Sequence, residues 1–62
     1  MKGTVKFFDS MKGFGFISAE DGKEYFVHQT GLKEGVIINE NDAVTFDVEE
    51  SDRGLKATNV EL

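Results

Sequence analysis

The dipeptide Asp21-Gly22 separates two short aromatic runs, Phe14-Gly15-Phe16-Ile17 and Tyr25-Phe26-Val27-His28. Together the three pieces specify a β-hairpin, because glycine accepts the positive φ that a tight hairpin turn demands. Side chains alternate between the two faces of a strand. Phe14 and Phe16 therefore share one face, and Gly15 and Ile17 the other. In the second run Phe26 and His28 stand opposite Tyr25 and Val27. Sending the Phe rings inward would expel Ile17 and leave the core short of apolar volume. The spacing thus predicts Ile17 and Val27 inside, with three Phe rings and one imidazole outside. Such a patch marks a binding surface, and flat rings flanked by lysines suit stacked nucleobases.

The rest of the chain also reads as strand. Residues 2–9 are rich in β-branched and aromatic side chains, and Ser10-Met11-Lys12-Gly13 reads as a loop. Residues 14–19 and 23–28 form the hairpin. Residues 29–42 hold Gly31, Gly35 and Asn39-Glu40-Asn41-Asp42 and read as a long loop, pinned to the core by Leu32 and Val36-Ile37-Ile38. Residues 43–49 alternate, which predicts Val44, Phe46 and Val48 inward. Ser51-Asp52-Arg53-Gly54 is a second turn. Residues 55–61 form a fifth strand whose irregular alternation suggests a bulge. Five short strands without a helix protect their edges best by closing. The expected fold is all-β, a five-stranded antiparallel barrel.

Sixty-two residues make one domain of low stability. The sequence has no cysteine and one histidine, so it offers no disulfide, no catalytic thiol and no set of metal ligands. No cofactor, metal or membrane contact is expected. The first residues lack the apolar stretch of a signal peptide, which points to the cytoplasm. Net charge is −5, yet residues 1–33 carry a balance of +1 and residues 34–62 one of −6. Lysines accompany the aromatic runs, which predicts an acidic protein with one neutral-to-basic face.

With these residues in view, the chain resembles the cold-shock domain proteins, close to the small bacterial ones. Lys12-Gly13-Phe14-Gly15-Phe16-Ile17 is similar to that family's first ribonucleoprotein motif, and Phe26-Val27-His28 to its second. Val5-Lys6-Phe7-Phe8, Arg53-Gly54 and Ala57-Thr58-Asn59-Val60 match on either side, so the likeness runs from Lys2 to about Val60. The resemblance implies an OB-type barrel that spans the whole chain, residues 1–62. It implies a monomeric, non-enzymatic protein that binds single-stranded RNA and DNA with little sequence specificity. It also implies a nucleic-acid chaperone role in cold adaptation, keeping RNA free of secondary structure.

Carried over by position, the resemblance assigns nucleic-acid contacts to Lys6, Phe7, Lys12, Phe14, Phe16, Phe26, His28 and Arg53, and a base contact to Glu24. Phe7 and Phe8 are neighbours, so one points in and one out; the likeness places Phe7 outside. Tyr25 reads as a core residue with its hydroxyl at the rim, and Gly13 as a turn position. Gly15 reads as relief for strand curvature. His28 reads as a stacking ring, since no second histidine or cysteine can share a metal with it.

The chain departs from the family where Phe7 stands for a tryptophan, Asp9 for an asparagine, Gln29 for a phenylalanine and Leu55 for a proline. Its 29–42 loop is shorter and has no aromatic residue. These departures predict weaker binding than in relatives with the full aromatic set. Two other functions fit the composition: a translation-associated OB domain on structured RNA, and a barrel that holds a peptide on its aromatic patch.

Overall fold

A computed structural model describes residues 1–52 and 54–62. The strands are β1 (Lys2–Asp9), β2 (Phe14–Ala19), β3 (Glu24–His28), β4 (Ala43–Ser51) and β5 (Gly54–Glu61), with one turn of 3₁₀ helix at Gln29–Gly31. They close into a barrel in the order β1-β2-β3-β5-β4, with β4 returning to β1. Five is an odd number, so a closed ring of strands cannot alternate direction throughout. The unavoidable parallel junction falls between β3 and β5 and consists of the pairs Phe26–Lys56 and Val27–Ala57. The other four junctions are antiparallel.

The core holds Val5, Ile17, Ala19, Tyr25, Val27, Ile38, Val44, Phe46, Ala57 and Val60, with Phe8, Leu32 and Val36 packed partly against it. Ile17 and Val27 are fully buried, as the alternation requires. Ile38 anchors the 29–42 loop, and Leu32 bridges to Val60. Ile37, between Val36 and Ile38, points to solvent.

Val48 corrects the inward assignment. It is exposed, although Val44 and Phe46 are buried. The first part of β4 pairs with β1 through Ala43, Val44 and Thr45. From Asp47 to Ser51 it pairs only with β5. That second half has lost its β1 neighbour, so Val48, although in register with Ala57 and Val27, lies at an open edge of β4.

Two irregularities shape the barrel. Between Val5–Ile17 and Phe7–Phe16 the register advances two residues in β1 and one in β2, so Lys6 is the extra residue of a bulge. Between Thr45–Glu61 and Asp47–Thr58 the extra residue lies in β5, next to Asn59 at φ 52°. The bulge expected in the fifth strand is therefore present.

Tyr25 is buried against Phe46, with ring centroids 5.6 Å apart. Its hydroxyl donates to Asp21 Oδ2 at 2.6 Å, and the Lys23 amide donates to Asp21 Oδ1 at 2.9 Å. The turn between β2 and β3 is thus tied to the core by one side-chain bond. That bond, reinforced by the Lys23 amide, lowers the Asp21 pKa. The same bond, with burial, raises that of Tyr25. A carboxylate with a lowered folded pKa contributes stability above its unfolded value, near 3.9, and loses it as pH falls. A phenol with a raised folded pKa contributes below its unfolded value, near 10, and loses it as pH rises through the folded one. The stability gap between wild type and Tyr25→Phe is therefore expected to be widest between about pH 5 and 9 and to shrink at both ends. Urea midpoints across the pH range measure it. A gap as wide at pH 3 as at pH 7 would contradict the bond.

Candidate nucleic-acid interface

The hairpin register sets the outer face. Phe14 pairs with His28, and Phe16 with Phe26. On the other side of β2, Phe7 pairs with Phe16 and Asp9 with Phe14. The bulge at Lys6 makes this possible. Plain alternation from the buried Val5 would turn Phe7 inward; the extra residue sends Lys6 and Phe7 both outward and lets Phe8 pack on the core. Directly paired residues share a face. One row therefore crosses all five strands: Phe7, Phe16, Phe26, Lys56 and Glu49.

The rings support one another. Phe7 and Phe16 lie 5.6 Å apart and Phe16 and Phe26 5.9 Å apart, centroid to centroid. Phe14 stacks on Phe26 at 6.1 Å and meets Phe7 edge-on at 6.5 Å. The His28 ring is tilted against Phe26 at 6.5 Å. Phe7 and Phe26 remain 39% and 36% exposed. Phe14, Phe16 and His28 are half-buried, and each has its ring against Phe26. The result is a rigid apolar shelf rather than a cleft.

The polar rim is less basic than the sequence suggests. Lys6 is ion-paired with Glu24, and Lys56 Nζ lies 3.8 Å from Glu49 Oε1. Lys12 sits in the turn after β1, in no ion pair among the described residues. Asp9 Oδ1 accepts from the Met11 and Lys12 amides at 3.0 and 3.1 Å. Its carboxylate therefore shapes that turn while remaining next to Phe14. His28 caps the 3₁₀ turn: its Nδ1 accepts from the Thr30 amide at 3.2 Å. This bond fixes the ring plane and directs Nε2 away from the turn.

Of the residues expected at the site, Lys6, Phe7, Phe14, Phe16, Glu24, Phe26 and His28 share one continuous face, and Lys12 stands at its edge. Arg53 lies outside the described residues. Lys56 was not legible as a site residue, because only the parallel β3–β5 junction places it beside Phe26. At the edge of this face Gln29 packs against Gly13, and Ile37 of the 29–42 loop faces solvent.

The profile of the family described as 'Cold-shock' DNA-binding domain matches residues 1–62. The chain belongs to the cold-shock domain family, whose members bind nucleic acid and are not enzymes. It is 48% identical over 61 residues to Cold shock protein 2 of Lactiplantibacillus plantarum, covering 95% of this chain and 92% of that protein. It is 44% identical over 61 residues to the Major cold shock protein of Streptococcus pyogenes serotype M1, covering 95% and 91%. Cold shock protein CspC of Bacillus subtilis is 44% identical over 62 residues, covering 97% and 94%. No helix among the described residues is long and apolar enough to cross a membrane.

Proposed function

We propose that this protein binds single-stranded RNA and DNA on the Phe7–Phe14–Phe16–Phe26–His28 shelf, with little sequence preference, and acts as a nucleic-acid chaperone in the cold response. The observation that carries the reading is the mutual packing of four Phe rings on the outside of the barrel. A domain this small gains little from rings held in water, whereas every base offers a π-face to stack on them. A strand lying on the shelf has its bases occupied, so it cannot fold back on itself. The reaction is binding alone. Its partners are single strands in the cytoplasm, and a single barrel suffices to hold them.

Lys12, at the shelf's edge and in no ion pair among the described residues, is assigned a phosphate contact. The test is NMR shift mapping with oligo-dT and oligo-rU of equal length, since the chain has no tryptophan to report binding. Both ligands are expected to move the signals of the shelf residues and of Lys56. Lys12→Gln should shallow the slope of log K against log salt by about 0.7. Shifts with RNA alone would favour a domain for structured RNA. No shift with either ligand would leave the peptide-binding barrel.

A further inference from the structure

Two cations on the aromatic face, Lys6 and Lys56, already have partners. Lys6 is the extra residue of the β1 bulge, and its ammonium reaches across β2 to Glu24 on β3. Glu24 is two residues from Phe26 and so lies on the same side of that strand. Lys56 pairs with Phe26 on one side and with Glu49 on the other. Both acids thus stand on the face that holds the rings. The third ion pair among the described residues, Lys33–Glu61, joins the 29–42 loop to the end of β5 and touches no ring of the shelf.

We propose that Glu24 and Glu49 are built-in counter-ions that determine how strongly this face holds a phosphate backbone. The inference rests on the reading that a single strand lies on the rings. A phosphate approaching Lys6 or Lys56 meets a cation whose charge is cancelled locally, so long-range attraction at both positions is weak. The pairs are exposed and weak themselves, so an arriving phosphate can displace the carboxylate. The displaced acid then remains beside the phosphate and opposes it. Affinity comes from stacking and from Lys12, and it varies less with salt than the number of lysines on the face implies. A strand held in this way is easily handed on.

The test measures binding of a labelled oligo-dT to wild type, Glu24→Gln, Glu49→Gln and Glu61→Gln over a salt series. Glu61→Gln removes the same formal charge from the pair that lies off the shelf. Glu24→Gln and Glu49→Gln are each expected to tighten binding about two- to fivefold at low salt. Each should steepen the salt slope by up to about 0.7, with the gain fading at high salt. Glu61→Gln should change neither quantity. Lys6→Gln should cost more in the Glu24→Gln background than in wild type, because only there is the ammonium free. Weaker binding by Glu24→Gln would make that residue a direct base contact and overturn the proposal. Unchanged affinity and slope in both shelf variants would also overturn it, as would equal tightening by Glu61→Gln, which would show a net-charge effect. Wild type that binds neither oligo-dT nor oligo-rU would instead refute the proposed function, before any variant is compared.

Discussion

Gly15→Ala is expected to lose at least about 3 kcal/mol of stability, enough to unfold much of a domain this small. A Cβ at position 15 would stand 2.2 Å from the Phe7 carbonyl oxygen and 2.7 Å from Phe8 Cα. Both obstacles are main chain, on β1, just past the Lys6 bulge. No rotamer change can clear them. The two strands must part, and the pairs Phe8–Gly15 and Asp9–Phe14 go with them. A core overpacked by a methylene can relax through side chains for about 1–3 kcal/mol; here the backbone itself must move. Gly22→Ala is the contrast. Nothing lies within 4 Å of its Cβ, but its φ is 84°, so the left-handed backbone alone should cost about 1 kcal/mol. Urea unfolding followed by circular dichroism compares the two. Equal midpoints for Gly15→Ala and Gly22→Ala would show that parting β1 from β2 costs no more than one left-handed residue, against the contact that the structure describes. The same contact shapes the proposed site, because the close approach of β1 to β2 brings Phe7 to 5.6 Å from Phe16.

The parts of this molecule that were legible in its sequence are those governed by short-range rules. Alternation on either side of the Asp21-Gly22 turn placed Phe14, Phe16 and Phe26 outside and Ile17, Val27 and Tyr25 inside. The limits of β1 and β2 followed from the same pattern. The parts that were not legible depend on which strand lies next to which. Alternation treats Val48 like Phe46, yet β4 loses its β1 neighbour before Val48 is reached. Nothing in Val5-Lys6-Phe7 marks Lys6 as an extra residue; the bulge is visible only in the pairing with β2. Lys56 is about thirty positions from Phe26 in the chain, and the odd strand count makes them neighbours. The ion pairs that Glu24 and Glu49 make on the aromatic face were not legible for a related reason. Counting charge by segment placed most acids after Glu34, whereas Glu24 and Glu49 reach the lysines of the shelf from two different strands.

Phe16→Ala is expected to weaken binding of oligo-dT more than any other single truncation on the shelf, and Phe14→Ala to follow it. One base stacked on an aromatic side chain is worth about 1–3 kcal/mol, or roughly 5- to 150-fold in affinity. Phe16 should fall at the upper end. It is the central ring of the row, wedged between Phe7 and Phe26 at 5.6 and 5.9 Å. Its removal takes one stacking surface and loosens two more. The fold should survive, because Phe16 lies on the face opposite Ile17, which keeps its place in the core. The lost ring–ring contacts should cost about 1 kcal/mol of stability. Phe7→Trp tests the same shelf in the other direction. Phe7 is already exposed at the end of the row, so a larger ring can spread over solvent without crowding the core, and binding should tighten. Titration of the three variants with one oligonucleotide, alongside a thermal melt of each, separates loss of the shelf from loss of the fold. A folded Phe16→Ala that binds within twofold of wild type would mean that the bases lie elsewhere. The opposed responses of Phe16→Ala and Phe7→Trp would instead tie affinity to ring area. Ring area is also what the resemblance implies this chain lacks: at Phe7, where it implies a tryptophan, at Gln29, where it implies a phenylalanine, and in the loop that holds Val36-Ile37-Ile38.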